Sequence, residues 1–399
     1  MADVYLDHAA AGPLSPAAKQ AMDPFLMGDY GNPSSFHMKG KRVKDAMEEA
    51  RADIASHLAC RADEILFTSG GTESDNMAIL GVARAAKAKG NHLIVSAFEH
   101  QAVLEAAVFL RDKEGFSLSI IQPTQDGLIE PEVVMSQVRP ETVLVSIMLA
   151  NNEIGTIQPI ATIGNLIQKY RAEHGAGPFF HTDACQATPY LDLSVEKLHV
   201  DLMTINGSKM YGPKGVGALY IKRGIKIQPL QFGGAQERGL RPGTEFVAGI
   251  VGMAAALEEA QGMKKKESER LVPLRDRLIQ GILQTIPKTR LNGDPIHRLP
   301  NNVNVSFLDL EGEALLLYLD AKGIYASTGS ACTSASLDPS HVILSLGMPF
   351  EVAHGSMRFT LGRATTAEHI EYVLEILPPL VEKLRSISPV TVDDKYWKP

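Results

Sequence analysis

The chain has 399 residues, of which 45% are hydrophobic and 21% are charged. This length exceeds what one ordinary hydrophobic core holds and favours two domains, and the composition is typical of a soluble globular protein. The formal net charge of −7 argues against a general nucleic-acid-binding protein and against binding to anionic membranes, although it allows a local basic patch for a protein or tRNA partner.

The lack of a recognisable targeting signal and the cysteine usage make the cytoplasm the expected location. No apolar run is long enough to span a membrane, and the start of the chain lacks the basic-then-apolar pattern of a signal peptide. The three cysteines, Cys60, Cys185 and Cys332, form no close pair, so we predict neither a disulfide framework nor a zinc site. We expect Cys60 and Cys185 to be buried and inert. The histidines show no metal-binding spacing, and we predict no metal site.

The first half of the chain alternates between short apolar runs and helical patterns. An extended arm, a loop and a helix over 43–57 come first. The predicted strands are 65–68, 92–96, 118–122, 143–148, 179–182, 202–205 and 216–221, and the predicted helices between them include 72–89, 101–113 and 160–174. Repeated βα units predict a mostly parallel sheet with helices on both faces, and the continuously apolar strands are typical of such burial.

The second half begins with a long helical connector over 249–286. A smaller α/β segment follows, with predicted strands at 302–307 and 357–361, a helix at 312–322 and a closing helix from Thr366. We therefore predict a large domain at 13–257 and a small domain formed by 1–12 and 258–399. The small domain would carry a Ser-, Gly- and Thr-rich loop at about 327–341.

Polar side chains stand at the carboxyl ends of several predicted strands, where open parallel sheets bind their ligands. Thr72 follows two glycines and begins a helix, which predicts a phosphate site at the positive end of the helix dipole, although an ordinary helix cap is the more frequent cause of this pattern. His100, Asn152 and Asp183 follow three further strands. A carboxylate at such a strand end suggests a cationic partner, and a protonated pyridine nitrogen is one.

One lysine lies between a buried strand and a glycine-rich hairpin, in the segment Asn206-Gly207-Ser208-Lys209. A surface lysine in a turn is the ordinary explanation of a single lysine. Small neighbours, however, permit desolvation of the amine, which can then lose its proton and form a Schiff base with a carbonyl. A Schiff-base lysine together with a carboxylate that holds a pyridinium is the arrangement of enzymes that use pyridoxal phosphate.

The chain resembles the NifS/IscS-type cysteine desulfurases of the class V aminotransferase family over essentially its whole length. The matching segments are residues 5–7, 31–33, 67–76, 99–100, 151–155, 181–183, 206–215, 238–244 and 329–332. The resemblance implies an α/β protein of aminotransferase fold type I, with a mostly parallel seven-stranded sheet in the large domain and a smaller α/β domain. It also implies pyridoxal 5'-phosphate as the cofactor and a homodimer as the assembly.

The resemblance implies roles around the cofactor ring. Lys209 joins the cofactor as a Schiff base and then moves protons. Asp183 pairs with the pyridine nitrogen, and Gln186 bonds the ring hydroxyl. His100 stacks on the ring and assists acid–base steps.

The resemblance also implies a phosphate site and a carboxylate site. Gly71 and Thr72 bind the phosphate, and Thr244 reaches the phosphate of the other subunit's cofactor. Asn152 and Arg358 hold the carboxylate of the substrate, for which the guanidinium offers a bidentate fork.

Cys332 receives the sulfur in the mechanism that the resemblance implies. L-Cysteine is the substrate, Cys332 attacks its sulfur, alanine leaves and a persulfide remains. The residues after Cys332 resemble the subgroup with a longer catalytic loop, which passes sulfur to protein acceptors such as an iron–sulfur scaffold or a relay for tRNA thiolation.

The sequence departs from the family in three places. Asn206 and Ser208 replace the usual Ser and His before the lysine, but each can still donate a hydrogen bond, so we expect a cofactor site with altered phosphate geometry. The turn at 10–12 lacks the usual threonines, and the tail at 389–399 does not resemble the scaffold-binding tail of bacterial relatives. We interpret Cys185 as facing the core.

Three alternatives stay open at this point. A selenocysteine lyase and an aminotransferase share the fold, and a catalytically silent binding subunit would keep the fold without the chemistry. The presence of Lys209, Asp183, His100, Arg358 and Cys332 disfavours the silent subunit.

Overall fold

A computed structural model describes residues 3–329 and 338–396, apart from the side chain of Asp394. The strands in the described chain are β1 (Val4–Tyr5), β2 (Ile65–Thr68), β3 (His92–Ser96), β4 (Ser117–Ile121), β5 (Thr142–Ser146), β6 (Phe179–Asp183), β7 (Leu202–Asn206), β8 (Gly217–Ile221), β9 (Thr289–Leu291), β10 (Asn302–Phe307), β11 (Ile324–Tyr325) and β12 (Ser356–Thr360).

The α-helices alternate with these strands and also close the chain. They are α1 (Pro16–Met27), α2 (Met38–Leu58), α3 (Gly71–Asn76), α4 (Val82–Ala86), α5 (Gln101–Glu114), α6 (Pro131–Ser136), α7 (Ile160–His174), α8 (Val195–Leu198), α9 (Val247–Thr285), α10 (Gly312–Asp320), α11 (His341–Ser345), α12 (Phe350–His354) and α13 (Ala367–Ile387). None of them, within the part of the chain that the structure describes, has the length and apolar character needed to cross a bilayer.

Seven strands form one sheet in the order β2-β8-β7-β6-β5-β3-β4. Its neighbours pair in parallel from β7 to β4, and only β8 runs antiparallel to the strands on either side of it. Alternate residues point to opposite faces, as Ile94 belongs to one apolar cluster while Leu93 and Val95 belong to another. The predicted mostly parallel, doubly covered seven-stranded sheet is confirmed.

A second sheet has the order β12-β10-β9 and is antiparallel. Its apolar side chains form a third cluster together with residues of α9 and α13. The start of the chain joins this cluster, since β1 pairs with β11 and Val4 and Leu6 are buried there. The predicted division into domains at 13–257 and at 1–12 plus 258–399 stays a prediction.

Several boundaries differ from those predicted. The helix predicted over 72–89 is divided into α3 and α4 by a π-helical turn at Met77–Gly81. At its end the Gly81 carbonyl accepts a hydrogen bond from Gln228 N, and a Cβ on Gly81 would lie 2.3 Å from Ile227. The sequence did not predict β9 and β11, because runs of two or three residues are too short to show a strand period.

Candidate active site

A cavity opens at the carboxyl edge of the seven-stranded sheet, where open α/β sheets bind ligands. It contains about 1060 Å³ of atom-free space, part of which is open to solvent. The predicted site residues that line it are Gly71, Thr72, His100, Asn152, Asp183, Gln186, Asn206, Lys209 and Arg358. These residues come from both sheets and from segments far apart in the chain, so their convergence is a property of the fold.

Lys209 enters the cavity from a short 3₁₀ turn directly after β7. Asn206 caps this turn, because its Oδ1 accepts from Ser208 N at 3.3 Å. The half-buried amine donates to the carbonyl oxygens of Ala9 at 2.7 Å and Ala10 at 2.6 Å. The structure thus places the amine inside the cavity and against the N-terminal segment.

Asp183 ends β6, with its carboxylate in the cavity. Its Oδ1 accepts from Cys185 N at 2.8 Å. Cys185 is buried but lines the cavity, so the interpretation of Cys185 as core-facing is wrong. Burial raises the pKa of the Cys185 thiol well above its ordinary value, and the neighbouring Asp183 and Asp75 carboxylates add to this effect. Cys60 is only half-buried, contrary to expectation.

Asp75 is a buried cavity residue that the sequence interpretation missed. Burial, and then the proximity of Asp183, raises the pKa of Asp75 well above its ordinary value. Its Oδ1 lies 3.7 Å from His181 Nε2 and forms no hydrogen bond with any described residue. The spacing from Thr72 could have revealed Asp75, because residues three apart share one face of a helix.

His100 caps α5, and its Nδ1 accepts from Ala102 N at 3.1 Å. The neutral ring therefore carries its proton on Nε2. The adjacent Glu99 is fully buried, and its Oε1 accepts from Ser96 Oγ at 2.5 Å and from Met148 N at 2.9 Å. Burial raises the pKa of Glu99 to about 8. His341, a second missed lining residue, places Nε2 at 2.9 Å from the Glu99 carbonyl.

Arg358 lies on β12 and faces the same cavity. Its Nη1 donates to the Asn152 carbonyl at 3.0 Å, and its Nη2 donates to Asp7 Oδ1 at 3.0 Å. Arg358 Nε and Asn152 Oδ1 are buried without a hydrogen-bond partner among the described residues. A buried donor or acceptor without a partner is costly, so Arg358 Nε is suited to an accepting group of a polar ligand and Asn152 Oδ1 to a donating one.

Four further predicted site residues differ in where they lie relative to the cavity. Thr244 is exposed and does not line the cavity. Ser208 also lies outside the lining, with its Oγ at 3.4 Å from Asn206 Oδ1. Gln186 lines the cavity and donates through Nε2 to the Ala9 carbonyl at 2.8 Å. Cys332 lies outside the described residues.

No group of three or more His, Cys, Asp or Glu side chains within 3–329 and 338–396 is arranged to hold a metal ion. The turn into α3 instead provides backbone groups. Gly70 there has φ +153°, which favours glycine, and a Cβ on Gly71 would lie 3.0 Å from Cys185 Sγ. Backbone N–H groups at such a turn can bind an anion.

Residues 4–373 match the Aminotransferase class-V family. The chain belongs to the class-V aminotransferase family. Enzymes of this family depend on pyridoxal phosphate.

Among its class-V relatives is a cysteine desulfurase IscS of Dictyoglomus turgidum, 50% identical over 99% of this chain and 98% of the relative. A solved NifS-like protein has 34% sequence identity and a TM-score of 0.88 and covers 97% of this chain and 100% of its own. A solved structure of SspA in complex with cysteine has 33% identity and a TM-score of 0.77, with 90% and 98% covered. The predicted class-V fold is therefore confirmed.

Proposed function

We propose that the protein is a cysteine desulfurase, which removes sulfur from L-cysteine, releases L-alanine and leaves a persulfide on Cys332. The observation that carries this proposal is the convergence of Lys209, Asp183 and Arg358 on one cavity. The likeness to curated cysteine desulfurases over almost the whole chain supports it.

The residues present fit pyridoxal 5'-phosphate. Lys209 offers an amine to an aldehyde, Asp183 offers a carboxylate to a pyridinium, and the turn at Gly70 and Gly71 with Thr72 offers donors to a phosphate. Gln186 would hold the ring hydroxyl and His100 would lie over the ring. Bound there, the cofactor supplies an electron sink for the carbon from which the sulfur leaves.

The chain's own groups bind and orient the amino acid. Arg358 Nε is a buried donor without a partner among the described residues, which suits the carboxylate of the substrate. Asn152 would donate to the same carboxylate through its side-chain N–H group, because its Oδ1 can only accept. Lys209 then takes a proton from the substrate carbon and returns one to the product. His100 carries its proton on Nε2, because Nδ1 accepts from the backbone, and Nε2 is therefore the atom that can give a proton.

Sulfur leaves the substrate by attack from the Cys332 thiolate. A sulfur–sulfur bond forms while the carbon–sulfur bond of the substrate breaks. The electron pair of the broken bond stays with the carbon skeleton, which is protonated and leaves as alanine. The sulfur remains on Cys332 and passes to an acceptor, which we propose to be an iron–sulfur scaffold or a sulfur relay protein.

Incubation with L-cysteine and a reductant tests the proposal, with alanine and sulfide as the measured products. We expect wild-type protein to form both in equal amounts. The Cys332→Ala variant should keep the cofactor absorbance and its change on adding L-cysteine, but lose at least 100-fold in sulfide release because the attacking nucleophile is gone. Undiminished sulfide from the variant would contradict the assignment of Cys332.

The same assay separates the alternatives. A selenocysteine lyase would turn over L-selenocysteine and leave L-cysteine unchanged. An aminotransferase would convert amino acid to keto acid and release no sulfide, and a silent subunit would take up no cofactor. The cytoplasmic location and the homodimer stay predictions.

A further inference from the structure

The amine of Lys209 has two backbone acceptors in the N-terminal arm, defined here as residues 7–12. The Ala9 and Ala10 carbonyls, hereafter the carbonyl pair, lie 2.7 Å and 2.6 Å from Lys209 Nζ. These residues are about 200 positions from Lys209 in the chain. The contact is therefore built by the fold.

Several hydrogen bonds hold the arm in place. Tyr5 Oη donates to the Ala11 carbonyl at 2.7 Å, and Ala9 N donates to Thr360 Oγ1 at 2.9 Å. Gln186 Nε2 donates to the Ala9 carbonyl at 2.8 Å. The carbonyl pair is thus fixed by side chains on different elements.

Hydrogen counting shows which form of the lysine these acceptors suit. A lysine nitrogen bonded to a cofactor aldehyde carbon carries at most one hydrogen and cannot donate to two carbonyls at once. A free ammonium has three N–H groups, and hydrogen bonds to carbonyl oxygens favour this charged form. The carbonyl pair matches the lysine when it is not joined to a cofactor.

We propose that the carbonyl pair is the binding site of the Lys209 ammonium directly after an amino acid has replaced the lysine on the cofactor, before the ammonium loses a proton and the amine can act as a base. The inference rests on the proposed function and identifies a positioning element for it. When the substrate amine replaces the lysine amine, one carbon–nitrogen bond forms and another breaks. The lysine nitrogen leaves with the electron pair of the broken bond and gains the protons that the substrate ammonium loses. One positive charge thus moves to Lys209.

This transfer needs acceptors inside a partly desolvated cavity, since a buried ammonium without partners is strongly disfavoured. The carbonyl pair supplies them without adding a full negative charge that would compete with Asp183 for the cofactor. The arm also holds Asp7 against Arg358, so one segment contacts both the lysine and the proposed carboxylate site.

The experiment uses Thr360→Val in the cofactor-loaded protein, because this change removes the acceptor of Ala9 N without touching Lys209. Thr289→Val is the matched control, since Thr289 Oγ1 is also buried but bonds the Ile286 carbonyl away from the arm. The first readout is the change in cofactor absorbance on titration with L-alanine. The second is the rate at which methoxyamine displaces Lys209 from the cofactor. Neither reagent needs Cys332.

We expect Thr360→Val to weaken L-alanine binding and to slow displacement by methoxyamine, each by about tenfold, the scale of one hydrogen bond to a charged group. Thr289→Val should change neither. Methoxyamine has no carboxylate, so a variant that loses only L-alanine affinity would show that the arm acts through Asp7 and Arg358, and would overturn the proposal. Unchanged values for both reagents would overturn it as well.

The outcome is separable from that of the proposed function. Protein that takes up the cofactor but releases no sulfide would refute the desulfurase assignment alone, because displacement of the lysine involves no sulfur chemistry. Protein that takes up no cofactor would refute both.

Discussion

At the scale of single residues, three buried carboxyl groups lie in or next to the cavity. Asp75, Glu99 and Asp183 are all buried, and the pKa values of Asp75 and Glu99 are raised mainly by burial. Burial thus favours the neutral form of Asp75 and Glu99, and Asp183 is the carboxyl group proposed to pair with a cationic ring nitrogen. The environment therefore separates carboxyl groups of the same chemistry into different roles.

Glu99 gives a prediction on pH. Its pKa is about 8 in the folded protein against an ordinary value of 4.5, so the folded protein retains a proton that the unfolded chain loses. The contribution of Glu99 to the free energy of unfolding therefore falls as pH rises from about 4.5 to about 8 and changes no further above that range. We expect Glu99→Gln, which keeps an acceptor for Ser96 and Met148 N, to reduce this loss by a few kcal/mol.

Denaturant midpoints measured from pH 5 to pH 9 would check this slope. The exposed Glu132→Gln serves as the control and should follow wild type. An unchanged slope in Glu99→Gln would show that Glu99 is ionised in the folded protein at neutral pH.

The sequence alone was enough to identify those site residues whose signal lies in their immediate sequence neighbours. Lys209 was found from its small neighbours, and Asp183 from its place at a strand end. Asp75 was missed although its spacing from Thr72 places it on the same helix face, and His341 was missed because it reaches the cavity only through tertiary packing. The carbonyl pair has no side-chain signal, so no reading of residue types could have found it.

At the scale of elements, close backbone packing fixes the position of the turn at Gly70 and Gly71, which leads into α3. Gly217 on β8 lies against the turn that leads from β2 into α3, and a Cβ on Gly217 would lie 2.7 Å from the Gly70 carbonyl carbon. We expect Gly217→Ala to cost about 1–3 kcal/mol in stability and to weaken cofactor binding, because overpacking moves the turn.

Gly262 is the matched control within α9, since a Cβ there meets nothing within 4 Å. Gly262→Ala should leave cofactor binding unchanged and stabilise the protein by about 0.5–1 kcal/mol. Thermal unfolding and cofactor titration would measure both variants. Equal cofactor affinity in Gly217→Ala and wild type would disprove the importance of this packing.

Long elements were easier to predict than short ones. The bounds of β2, β3, β10 and α7 agree with the sequence prediction. The apolar residues of β2 and β3 are consecutive, those of β10 alternate with polar residues, and those of α7 recur at helical spacing. The π turn between α3 and α4 was not predictable, since its close contact partners, Ile227 and Gln228, lie far along the chain.

At the scale of the whole molecule, exposed aromatic residues bear on whether the chain forms a homodimer. Phe232 and Phe246 are 91% and 46% exposed and flank the segment that carries Thr244. Exposed aromatic side chains are enriched at interaction surfaces. They support the proposed homodimer, in which Thr244 would serve the cofactor of the other subunit.

Phe232→Asp tests this proposal. We expect light scattering to show a lower mass than wild type, and dialysis to remove the cofactor several-fold faster, because a charge at an apolar interface opposes association. Ile296→Asp, at a residue that is 79% exposed on a different segment, should preserve mass and cofactor retention. A wild-type protein that scatters as a single chain would disprove the dimer.

Two segments that are far apart in the chain meet at the cavity. Arg358 contacts Asp7, and Thr360 contacts Ala9, and the residue numbers of each pair differ by 351. Asp7 and Ala9 can therefore make these contacts only after β12 has been synthesised. A chain that has not yet formed β12 lacks both the guanidinium proposed to bind the amino acid and the anchor for the arm.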